Sequence, residues 1–118
     1  MPPRLRPAPR ERVLAALSKL ESADPANLRL LTKHFLAVLS AEAPGNSVEV
    51  RVPPYAAAQV IPGVRHTRGT PPAVVEMDAL TWIALATGEV AWAEAAATGA
   101  VKASGERADL SPYFPLHG

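Results

Sequence analysis

At 118 residues the chain is long enough for one domain with a single hydrophobic core, and a net charge of +1 supplies no bulk field to attract nucleic acid. The absence of cysteine excludes disulfides, thiolate nucleophiles and Cys-ligated zinc, and makes a cytoplasmic location the default expectation. No stretch approaches the ~18 consecutive apolar residues of a membrane span, so no stable membrane insertion is expected.

Residues 1–9 hold four prolines and two arginines and are expected to form a disordered N-terminal arm. Arg4, Arg6, Arg10 and Arg12 are followed by no apolar run of signal-peptide length, so no secretory signal is expected. The rest, 10–118, reads as one domain: helices over 10–43, a sheet with helices over 47–105, and an apolar C-terminal tail over 109–116. From Arg10 to Ser22, Val13, Leu14, Leu17 and Leu20 share one helical face. Asp24-Pro25 then supplies a cap and a first-turn proline for a helix reaching Glu42. Its inward face is Leu28, Leu31, Phe35, Val38 and Leu39, with His34 beside it and partly exposed. Pro44-Gly45-Asn46 ends it.

Val48, Val50 and Val52 alternate with Glu49 and Arg51, the period of a half-buried strand. Pro53-Pro54 interrupts the ladder at an edge, a bulge or a break. Tyr55 to Ile61 forms a second strand, Pro62-Gly63 a turn, and Ala73 to Met77 a third strand. Asp78 caps a helix running to Thr87, and a second, alanine-rich helix runs from Ala91 to Thr98 around Trp92. Each ends in Ala-Thr-Gly, with Gly88 and Gly99 where a helix wants a left-handed residue. Val101 to Ser104 is a last strand, and Ser111-Pro112 opens a final helical turn. Strands and helices are each grouped together, which predicts α+β: a mostly antiparallel sheet with helices packed on one face.

Arg65, His66 and Arg68 form the one dense basic loop, with no acid between Arg51 and Glu76. Guanidinium groups bind carboxylate or phosphate bidentately, so the loop is a candidate anion or head-group site. The alternative is a structural loop whose arginines pair with Glu76 or Asp109. Trp82, Trp92, Tyr113 and Phe114 are either plain core or the wall of a ligand cavity; periodicity serves both equally. His66 has no His, Asp or Glu at ligand spacing, so no metal is expected. No nucleophile elbow, Walker loop, zinc-protease motif or dinucleotide fingerprint occurs, so no catalytic residue and no cofactor are assigned. The aromatics lie in apolar helices, not on a basic sheet, which argues against nucleic-acid binding.

Thr87-Gly88, Trp92 to Ala97, Thr98-Gly99, Val101-Lys102 and Gly105 resemble the C-terminal half of the sterol carrier protein domain. The block from Val50 to Gly88, with Arg65-His66-Thr67-Arg68-Gly69-Thr70-Pro71-Pro72, looks more closely like the bacterial sterol-carrier-like proteins of actinobacteria. It is also similar to the C-terminal domain of the mycothiol-dependent maleylpyruvate isomerase family. The resemblance spans about Asp24 to Leu116 and implies a sterol-carrier-like fold, here with an N-terminal helical extension. It implies a non-catalytic transport or binding role for a sterol, fatty acid, acyl-CoA or similar hydrophobic ligand between sheet and helices. The lining assigned on that basis is Tyr55, Val75, Trp82, Leu85, Trp92, Leu110 and Phe114, with Leu110–Leu116 as a lid and Arg65, His66 or Arg68 at an anionic end. Ala97 replaces a bulky apolar residue of the wider family, and the strands are short and proline-broken; both point to a smaller cavity or none. The alternative function is an interaction or homodimerisation module with a filled core.

Overall fold

Pro9 leads into α1 (Arg10–Ser18), and one 3-10 turn (Leu20–Ser22) separates it from the longest helix, α2 (Pro25–Glu42). The Asp24 carboxylate accepts from the Ala26 N–H at 3.1 Å, and Pro25 occupies a first-turn position where its missing N–H costs nothing. The computed structural model describes residues 5–62, 73–104 and 109–116. Within it, α2 packs against α1, against α3 (Ala79–Thr87) and against the sheet, so it is buried nearly all round from Leu31 to Leu39.

Among the described residues the sheet has four strands: β1 (Val48–Val52), β2 (Ala56–Val60), β3 (Ala73–Glu76) and β4 (Lys102–Ser104), in the order β2-β1-β3-β4. The outer pairs are antiparallel and the central pair β1–β3 is parallel. Pro53 and Pro54 sit outside the ladder. They form the β1–β2 turn, joined by a cis peptide bond and closed by the Tyr55 N–H on the Val52 carbonyl at 3.0 Å. The alternation in β1 holds: Val48, Val50 and Val52 are fully buried, and Arg51 faces solvent. The helices cover that buried face.

Asp78 caps α3 through the Thr81 N–H at 2.8 Å. Helix α4 (Trp92–Thr98) follows, and Gly88 and Gly99 close the two helices in the left-handed region, at φ 86° and 81°. The core between sheet and helices is solid: Val75, Trp82, Leu85 and Leu110 are all fully buried. The Trp82 indole N–H reaches the Thr32 carbonyl at 3.3 Å, which ties α3 to α2.

Three features depart from the periodicity. Helix α1 ends at Ser18, with the residues to Ser22 tightened into the 3-10 turn. Its buried face is Val13 and Ala16, whereas Leu14 is 53% exposed. His34 is buried, only 5% exposed, because residues 5–9 lie across α2. There Leu5 and Ala8 pack half-buried on the core, and the Ala8 N–H donates to His34 Nδ1 at 2.9 Å.

Candidate functional site

The C-terminal segment 109–116 is a strap over the helices. Asp109 accepts from the Ser111 N–H at 2.9 Å, which starts a 3-10 turn at Ser111–Tyr113. This hydrogen bond holds the Asp109 carboxyl below its ordinary value; the Ser111 N–H is the larger cause and the Ser111 hydroxyl the lesser. Leu110 plugs the core. The Leu116 N–H donates to the Ala86 carbonyl at 2.9 Å, one residue short of the end of α3.

Between these anchors, Phe114 stacks on Trp92 at 6.1 Å between ring centroids and meets Trp82 edge-on at 5.7 Å. Trp92 and Phe114 are half-buried and, with Leu85, Val90 and Pro115, line a groove of about 370 Å³. Leu85, Trp92 and Phe114 of the expected lining therefore come together. Trp82 and Leu110 lie behind them in the core, and Val75 is buried on β3. Tyr55 is elsewhere, in a groove of about 440 Å³ at the hairpin end with Arg51 and Glu76. Arg51 forms an ion pair with Glu49 there. The loop carrying Arg65, His66 and Arg68 lies outside the described residues.

A larger cavity, of about 460 Å³, opens where the sequence assigned none. Its walls are Val13, Leu14 and Leu17 of α1, Phe35 of α2, Ala86 at the end of α3, and Leu116 of the strap. Ala8, Arg10, His34 and Thr87 complete it, and Arg10 is the one residue with a permanent charge among the described lining. The exposed Leu14 faces this space, a signal visible only once α1 is seen to bury Val13 and Ala16 instead. Both cavities fall within the several hundred Å³ of small-molecule sites. They flank the contact of strap and α3: Ala86, Thr87 and Leu116 face one, Leu85, Gly88 and Phe114 the other.

Among the described residues no group of three His, Asp or Glu is placed to hold a metal ion, and no helix is long and apolar enough to cross a membrane.

A four-stranded mixed sheet with helices on one face, an N-terminal helical extension and apolar cavities beside the helices define an α+β domain of the sterol-carrier type. The chain belongs to the family described as bacterial SCP ortholog, whose model matches residues 24–116. None of the curated proteins compared with the chain matches it. The family match opens at Asp24, the cap of α2, so α1 and the segment before it lie outside the matched region.

Proposed function

We propose that this domain is a non-catalytic carrier for a hydrophobic, lipid-like molecule, acting in the cytoplasm. The observation that carries the reading is the pair of apolar cavities, about 460 and 370 Å³, on either side of the strap. Family membership supports it, and the lack of cysteine suits a reducing compartment. The ligand lies beside the strap, not between sheet and α3, because Val75, Trp82, Leu85 and Leu110 fill that layer. The strap acts as a lid. One hydrogen bond and a half-buried Phe114 secure its outer end, an amount of contact that local opening can overcome.

Native mass spectrometry of the purified chain, before and after added fatty acid, tests this. A retained or added lipid at one copy per chain is expected. No adduct, together with no fatty-acid affinity in solution, would overturn it.

The filled sheet–helix layer favours a second reading, an interaction module that pairs with another copy. A ligand-free, concentration-dependent dimer in light scattering would support that reading over the carrier.

A further inference from the structure

The cavity under α1 has an asymmetric chemistry. Leu14, Leu17, Phe35 and Leu116 give an apolar wall, and Arg10 is the lining residue that carries a permanent charge. Arg10 is exposed, and no ion pair is recorded for it among the described residues. A purely apolar ligand would leave that cation unused. An acidic head group would meet it at the water boundary, while the tail occupied the space below. Two other polar groups of the wall are already engaged within the fold: the Thr87 hydroxyl is turned back to the Ile83 carbonyl at 2.9 Å, and the buried His34 accepts the Ala8 N–H at Nδ1.

We propose that this cavity binds an amphipathic monoanion, with Arg10 as its head-group residue and α1 as the wall that makes the domain select acids over neutral lipids. The inference rests on the carrier reading above and adds to it a site, a charge and a residue. Arg10, Leu14 and Leu17 all precede Asp24, so this specificity belongs to the extension that the family match does not cover.

The experiment measures binding of decanoate and of decanol, the same chain without the charge, to the full chain at neutral pH. Decanoate is expected to bind about fivefold more tightly at low salt, the scale of a solvent-exposed charge-assisted contact, and the preference should shrink as salt is added. Arg10→Gln should bring the two affinities together; the position is exposed, so the fold tolerates the change. Leu17→Trp, which fills the space, should remove both ligands.

Equal binding of acid and alcohol by the native chain would overturn the inference while leaving the carrier intact. So would a preference that survives Arg10→Gln or Leu17→Trp. Binding of neither ligand would overturn the inference, and the carrier with it where native mass spectrometry finds no lipid adduct.

Discussion

Two regions of this domain are built from the same kinds of residue and do opposite things. Between the sheet and α3, Val50, Val75, Trp82, Leu85 and Leu110 interlock with no exposed surface. Around the strap, Leu14, Leu17, Trp92, Phe114 and Leu116 are equally apolar yet line spaces that open to solvent. The difference is what stands behind each side chain. The first set is backed by a hydrogen-bonded sheet on one side and by α2 on the other. The second lies at the margin of the helical layer, where α1, α2, the end of α3 and the strap meet around a space that opens to solvent. Apolarity alone therefore does not separate core from cavity; the number of packed layers does.

Trp82→Ala strikes the filled region hardest. It removes a fully buried indole, its hydrogen bond to Thr32 and its edge contact with Phe114. A loss of about 3–5 kcal/mol is expected, a large part of the stability of a small domain. Urea unfolding checks it. A loss below about 1 kcal/mol would mean that the layer is loosely packed and that the contrast between the two regions is false.

Phe114→Ala tests the margin. The ring is half-buried and touches two tryptophans, so a cost of about 1–2 kcal/mol is expected, less than for Trp82 because part of the surface is already in water. Ligand affinity should fall as well, since the ring is both strap anchor and groove wall. A stability loss with unchanged fatty-acid binding would confine the ligand to the cavity under α1.

Leu14→Gln sharpens the comparison from the other side. At 53% exposed, Leu14 contributes little to folding, and a change within about 0.5 kcal/mol is expected. Its side chain forms one wall of the larger cavity, so fatty-acid affinity should drop severalfold. A thermal melt beside a binding isotherm separates the two effects. Unchanged affinity would remove Leu14 from the site.

Much of the fold was legible because its signals are local. The Val48–Val52 alternation, the Asp24 and Asp78 caps and the two Ala-Thr-Gly stops each depend on a few neighbouring residues. The parallel pairing of β1 with β3 was not, since nothing within a strand encodes a partner beyond the next turn. The exposure of Leu14 and the burial of His34 were missed for a related reason. Helical spacing gives a face but not its centre, and Ala16 took the place that size would assign to Leu14. His34 is covered by a segment whose prolines read as a solvated arm. Trp82, Trp92, Tyr113 and Phe114 read equally as core or as cavity wall, and the step from such residues to a groove lined by Trp92 and Phe114 needs the third dimension.

The strap offers the smallest and most specific test. Asp109 accepts the Ser111 N–H, and this bond holds the carboxyl below the usual 3.8. A folded value lower than the unfolded one means that the bond contributes stability above the unfolded value and loses it as pH falls through the folded one. Asp109→Ala, which removes the acceptor, should therefore lower the thermal midpoint slightly at neutral pH, and the gap to the native chain should narrow as pH falls below about 4. The group is almost fully solvated, so the effect is small. It should also persist in high salt, because its source is a short-range hydrogen bond to the backbone and not a screened charge pair. If the strap is the lid, the same substitution should quicken fatty-acid release in stopped-flow displacement, since the turn that aims Phe114 at Trp92 begins at this bond. Release at the native rate, with the midpoint shift present, would show that the strap's first turn stabilises the fold without governing the cavity.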